Sequence, residues 1–392
     1  MARKTKEELN ALCKKFNVPV LDSWSKYHCY KQDKYEFFLK YVLHKPEDRN
    51  NGIYAESGGQ VHDILEKFYT NQIKYKDMID LYEDALLTMN LAELKYNRSD
   101  SEKNERIANK YENCIRHFFT HHNVVTNPHV VEKFITIQIC DDVVLQGYID
   151  FLYTSKEDGE PKIYIIDFKT SSLYRGEKID KESGQLLIYA EGIRQLTGVD
   201  LKDIYCGWNF LKYINVTYEQ KNGKSKTRII ERHAIGEGLV NTVKMWLKHF
   251  GYDDTQINEY VEEMILDNSI DMLPTEVKAK FSFGDCYVEV PLTEEKIETL
   301  KKDIADTIHE SREKTKEYNK LKEHDKDEAE MLFWQEVTDA DAFRLATLSN
   351  YSRTLHKPYD EYLKNKEMFE NNTKDKEKSQ EEQDLLDFLN SL

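Results

Sequence analysis

Lys162-Ile163-Tyr164-Ile165-Ile166-Asp167-Phe168-Lys169-Thr170 is the most informative segment of the sequence. Its β-branched and aromatic residues mark a strand that ends in a carboxylate, an apolar spacer and a lysine. Residues two apart on a strand face the same side, so Asp167 and Lys169 stand together. Charge buried at a strand end is costly without a partner, and a metal ion beside Asp167 would supply one. Asp-x-Lys alone says little, because a chain rich in both residues contains the triplet by chance. Its plain alternative is an exposed ion pair, so the neighbouring segments carry the decision.

Upstream, residues 130–139 and 143–153 read as two strands joined by a tight turn at Asp141-Asp142, with a polar loop at 155–161 before the quoted strand. Glu132 lies on the first of them. Asp150 and Asp167 then fall on successive strands of one meander, close enough to share an ion. Further back, Val61, Ile64, Leu65, Phe68 and Tyr69 repeat at helical spacing. His62 and Glu66 share one face of that helix, which reads either as a helix ion pair or as a metal-binding imidazole. Residues 74–93 and 101–122 read as two more amphipathic helices. Downstream, residues 183–193 form a helix with Gln185 and Tyr189 on one face. A strand at 204–211 follows, then a hairpin turned by Asn222-Gly223. Lys221, Lys224, Lys226 and Arg228 surround that turn, as a solvated tip or as a phosphate-tracking finger.

Composition narrows the classes. The 392 residues allow one large or two moderate domains, with 25 Tyr and 17 Phe to fill the interior. No apolar run is long enough to cross a membrane and the N-terminus shows no apolar signal core, so a cytoplasmic, membrane-free protein is expected. The six cysteines are scattered without a Cys-x-x-Cys pair, against a zinc ribbon or a disulfide framework. A net charge of −16 opposes broad coating of a polyanion, so any nucleic-acid chemistry must concentrate positive charge locally.

The order of a helix with His62, a strand with Glu132, a strand ending Gly147-Tyr148-Ile149-Asp150, a strand ending Asp167-Phe168-Lys169-Thr170, a helix with Gln185-x-x-x-Tyr189 and a further strand resembles the PD-(D/E)XK nuclease superfamily. It looks most like the RecB-type nuclease branch, over about residues 21–215. The resemblance implies an α/β (α+β) fold: a mixed sheet in α-β-β-β-α-β order, flanked by helices. It implies that His62, Asp150, Asp167 and the Phe168 carbonyl hold Mg²⁺ or Mn²⁺, that Lys169 is the catalytic lysine, and that Gln185 and Tyr189 lie beside the scissile strand. Glu132 matches a supporting glutamate of the first core strand. Where relatives carry iron–sulfur cysteines, this chain has Gln32-Asp33 and no C-terminal cysteine cluster, so no iron–sulfur cluster is expected. No Gly-x-x-x-x-Gly-Lys-Ser/Thr is present, which points to a stand-alone nuclease. The implied activity is a metal-dependent DNA nuclease, an exonuclease in replication, recombination or repair. A structure-specific endonuclease on branched or flapped DNA is the nearest alternative. A non-catalytic DNA-binding adaptor is the alternative of another class. The Lys-, Asn- and Tyr-rich composition suits a bacteriophage, which would place the protein in the host cytoplasm, or an AT-rich bacterium.

The expected domains are 1–236 for the nuclease domain with its basic hairpin, 237–364 for a mainly helical region, and 365–392 for a flexible acidic tail. Residues 1–20 read as a helical leader, and the aromatic segment that follows as core packing with Ser23 or Ser25 as a helix cap. Helices are expected at 237–250, 254–267, from a Thr293 cap onward and at 327–351, interrupted by a strand-like piece at 277–290. The tail tip, with Gln383, Leu386, Phe388 and Leu389, resembles sliding-clamp-binding peptides and reads as a recruitment leash or as a terminal turn packed on the body.

Overall fold

Two compact units make up the chain: the segment up to Leu21 joins Ile53–Lys302, and Asp22–Gly52 joins the chain from Asp303. They are seen in a computed structural model that describes residues 3–49, 52–97, 100–157 and 159–368.

The first unit is built on six strands: β1 (His129–Gln138), β2 (Val144–Glu157), β3 (Glu160–Lys169), β4 (Ile204–Glu219), β5 (Ser225–Glu231) and β6 (Phe281–Glu289). Their alternation of Val, Ile, Phe and Tyr with polar residues is what a half-buried strand requires. β1 runs antiparallel to β2 and β2 to β3, as a meander with short turns allows. β3 and β4 are parallel, and the helix Gly184–Thr197 makes the crossover between them. β4 is long enough to pair first with β3 and then, beyond it, with β5, while β6 returns antiparallel to both halves of β4. The sheet is therefore mixed, with helices packed against it.

Helices Ile53–Tyr69, Asp77–Leu91 and Ser101–His121 bury their apolar stripes on Val131, Phe151, Ile166 and Phe168. The crossover helix comes so close to β1 that a Cβ on Gly192 would sit 2.5 Å from the Ile137 side chain. A second core gathers Ile214, Val216 and Ile230 under helices Ile235–His249 and Asp254–Asp267. Between these cores the Arg232 guanidinium is fully buried on Asp285, with its Nε donating to the Tyr213 carbonyl and its plane over Phe118. Burial pulls Arg232 below and Asp285 above their ordinary pKa values, and the pair offsets that cost only together.

The second unit packs Tyr30, Tyr35, Phe37 and Phe38 on Tyr318, Phe333 and Tyr351. Ser23 caps its first helix, Trp24–Gln32, by accepting from the Lys26 N–H. Asp33 takes both Arg344 and His356. The aromatic segment near the N-terminus is core, as its composition suggests, but its partners come from the C-terminal part of the chain.

Several segments differ from the sequence reading. The boundary expected at 236 falls inside the first unit, because β6 rejoins the sheet 45 residues later, at Phe281. The strands reach into the expected loop at 155–161, with Ser155 opposite Lys162 and Lys156 opposite Pro161. Residues 327–351 are two short helices, Lys326–Met331 and Asp339–Thr347, because Thr338 starts a new helix with a capping box and Phe333 buries its ring between them. Residues 365–368 are helical, and Gln383, Leu386, Phe388 and Leu389 lie outside the described residues. Among the described residues no helix is long and apolar enough to cross a membrane.

Removing one partner of a buried ion pair leaves the other charge stranded. Asp285→Ala is expected to lower the unfolding free energy by about 3–5 kcal/mol in urea titrations; a loss under about 1 kcal/mol would show that the pair is not structurally important.

Candidate active site

The ladder between β2 and β3 ends at Phe151 opposite Ile166, and the next residue on each strand is an aspartate, Asp150 and Asp167. Past that point Asp150 Oδ2 accepts the Phe168 N–H at 3.2 Å, a donor the ladder no longer uses. On the other side the β1–β2 ladder skips the Glu132 and Asp150 pair, and Glu132 has φ 48°, the left-handed region that non-glycine residues rarely enter. Three carboxylates therefore share one level of three adjacent strands where regular pairing is interrupted.

The helix Ile53–Tyr69 brings in His62. Its Nε2 lies 3.0 Å from the Phe168 carbonyl and its Nδ1 3.4 Å from Asp150 Oδ2. At Gly58 the helix runs past Thr170, and a Cβ there would sit in ordinary contact with Thr170 Oγ1 at 3.4 Å. Lys169 Nζ sits 2.6 Å from Asp167 Oδ2, with the Asp167 side chain 8 % exposed. Among the described residues, His62, Asp150 and Asp167 do not each bring a ligand atom within 4.8 Å of the other two. Asp167 is instead drawn to its lysine.

The electrostatics follow from this crowding. Burial and then the neighbouring Asp167 push Asp150 up to about 7, against the pull of His62 and Lys169. Glu132 is raised by burial and by Glu66, and His62 opposes the shift. Burial works against the Lys169 charge, but Asp167 and Asp150 outweigh it and hold the ammonium above its usual range. Several acids thus face one lysine and one imidazole. Hard oxygens with an excess of negative charge, beside a backbone carbonyl and an imidazole, fit a divalent cation.

Gln185 and Tyr189 come from the crossover helix, and Gln185 Nε2 donates to Tyr189 Oη at 3.0 Å. The Tyr189 phenol is pushed up to about 12 by burial, with Asp150 and Asp167 adding to the shift and Gln185 opposing it. Gly147 makes room for the ring: a Cβ on it would lie 2.7 Å from Tyr189 Cε1 and 2.8 Å from Oη. Gly147 was visible in the sequence as part of the strand ending in Asp150, but nothing in the sequence showed which side chain filled its place.

The basic hairpin is not part of this constellation. Lys221, Lys224, Lys226 and Arg228 are exposed around the β4–β5 turn, and Arg228 donates to the Gly238 carbonyl. From Trp208, opposite Asp167, the tip is roughly 40 Å along β4 at ~3.3 Å per residue. A cleft of about 1070 Å³ is lined by Lys4, Lys15, Lys133, Lys301 and Phe134, together with the acidic Glu8 and Asp141.

This ordering of carboxylates, lysine and flanking helix on a mixed sheet is what defines a PD-(D/E)XK nuclease core. A family model for the PD-(D/E)XK nuclease superfamily matches residues 23–330, and the chain belongs to that superfamily. Its members are generally nucleases and typically use Mg²⁺ or Mn²⁺. No curated protein matches the chain.

Two outcomes follow from the geometry. Gly147→Ala drives a methyl group into the Tyr189 ring and is expected to cost about 1–3 kcal/mol of stability, read from urea unfolding; an unchanged midpoint would mean the ring moves freely. A cation needs the Asp150 carboxylate deprotonated, and that group is held near 7. Mn²⁺ affinity measured by calorimetry should therefore rise as pH goes from 6 to 8. A flat profile would mean that Asp150 is not a ligand.

Proposed function

We propose that the protein is a divalent-metal-dependent DNA nuclease of the RecB type that works as an exonuclease in replication, recombination or repair. The observation that carries this reading is the corner where Asp150 Oδ2 meets both His62 Nδ1 and the Phe168 N–H, with the Asp167–Lys169 pair beside it. The residues that would hold the cation are Asp150, Asp167, His62 and the Phe168 carbonyl, with Glu132 in support. The cation would supply Lewis-acid stabilisation of the charge that develops on the phosphoryl oxygens.

The protein's own groups divide the remaining work. Lys169 is held charged, so it donates: it can orient a water by its lone pair and stabilise an equatorial phosphoryl oxygen as negative charge builds there. The same charge makes it a poor general base. His62 reaches the Phe168 carbonyl and Asp150 together and fixes the distance between helix and strand. Tyr189, buried beside the carboxylates and fixed by Gln185, forms an apolar wall with a hydrogen-bonding tip along the substrate. Of the cleft's four lysines, Lys4 and Lys301 are paired with carboxylates, which leaves Lys15 and Lys133 to meet a phosphate backbone in a chain of net charge −16. An adaptor that had given up hydrolysis would have little use for a charged lysine held against a buried carboxylate.

Asp167→Ala and Lys169→Ala are each expected to reduce cleavage of labelled DNA in Mg²⁺ or Mn²⁺ by at least 100-fold, with circular dichroism unchanged, and a chelator should stop the wild-type enzyme. Retention of wild-type rates by either variant would remove the assignment. Linear DNA should be degraded and covalently closed circles spared; cutting of closed circles would instead support the endonuclease.

A further inference from the structure

β4 changes its pairing where β3 runs out. Lys169, the last residue of β3, lies opposite Phe210. The register with β6 then jumps: the step from Asn209 to Ile214 on β4 spans only Tyr287 to Asp285 on β6. The extra residues of this bulge include Lys212. Bulges beside a site commonly re-aim a side chain. Here the Lys212 ammonium stands 5.0 Å from the centroid of the Tyr111 ring.

Two features separate Lys212 from the other cations of this region. It is half-buried, yet its Nζ makes no ion pair among the described residues; the nearby Glu231 is taken by Lys110 at 2.6 Å. Its lysine pKa is lowered by burial, the mark of an ammonium that has lost water without gaining an anion. It is also close to the reaction. Thr170, the residue after Lys169, lies against Gly58 on one side and faces the Tyr111 hydroxyl on the other. Lys212 is two residues beyond Phe210, the residue that pairs with Lys169. A stabilising role through the Tyr111 ring alone is worth little at such a site and would not require an unpaired charge.

Resting on the nuclease reading above, we infer that Lys212 is a substrate-binding residue that holds a backbone phosphate adjacent to the one being cut. The Tyr111 ring fixes the ammonium, and the phosphodiester supplies the anion that the protein does not. Lys212 neither touches the reacting atoms nor moves a proton. It sets the register of the strand so that the scissile phosphate falls at Lys169.

The test is binding of a labelled single-stranded oligonucleotide by fluorescence anisotropy, in chelator so that nothing is cut, across a salt series. Lys212→Met should weaken Kd by about 5- to 10-fold and lower the slope of log affinity against log salt by about one, the signature of one lost phosphate contact. Lys212→Arg should keep affinity within about twofold. In Mg²⁺ the loss for Lys212→Met should fall on KM more than on kcat. Lys212→Gln, which keeps most of the stem, replaces Lys212→Met if that variant melts early. Wild-type affinity, or weaker binding with an unchanged salt slope, overturns the inference, the second because it is what a purely structural lysine would give. A wild-type protein that neither binds nor cuts DNA would remove the nuclease reading and this inference together. A wild type that cuts, beside a Lys212→Met variant with unaltered binding, would remove only this one.

Discussion

Like charges forced together at an interrupted sheet are the constraint around which the protein is organised. Asp150 and Asp167 follow the last β2–β3 pair directly, and Glu132 stands at the same level on β1 with a left-handed backbone. Such a cluster is unfavourable on its own: burial first, and then the neighbouring Asp167, raises the Asp150 carboxyl, and Lys169 is locked against Asp167. The protein tolerates the cost because rigid elements surround it. The His62 helix, the crossover helix and three strands each contribute one part, and none can move without breaking a packed core.

The irregularities of the backbone sit where that constraint is felt. The β1–β2 ladder skips one pair at Glu132, the β2–β3 ladder ends at the aspartates, and β4 bulges where β3 stops. Glycines serve the same end. Gly147 admits the Tyr189 ring, and Gly192 the close approach of the crossover helix to β1. Away from the site stability rests on ordinary burial, with the Arg232–Asp285 pair as a costly polar element between two cores.

Much of this was legible in the sequence, because the site lies on elements with strong local periodicity. The alternation in residues 130–139 and 143–153 gave the strands, and the meander then put Asp150 beside Asp167. The four-residue spacings of His62 with Glu66 and of Gln185 with Tyr189 gave the helix faces. What the chain did not reveal depends on contacts distant in sequence. β6 rejoins β4 after three intervening helices, so local composition suggested a boundary at 236 where the first unit in fact continues to Lys302. The aromatic segment after residue 22 finds its partners near 318–351, some 300 residues away. The bulge that re-aims Lys212 arises from pairing with β6 and leaves no mark in the sequence. The basic hairpin was read correctly as a hairpin, but its place along β4 follows from strand length, and β4 proved longer than its apolar run suggested.

The most direct measurement of the central claim is the number and affinity of Mn²⁺ ions bound by the full-length protein, followed by electron paramagnetic resonance, for wild type and Asp150→Asn. If the carboxylates are gathered to hold a cation, the wild type binds Mn²⁺ and Asp150→Asn binds it at least tenfold more weakly while keeping the same melting temperature without metal. Equal Mn²⁺ affinity in the two proteins would contradict the account, and would leave the charge cluster as a feature of the fold with no metal to explain it.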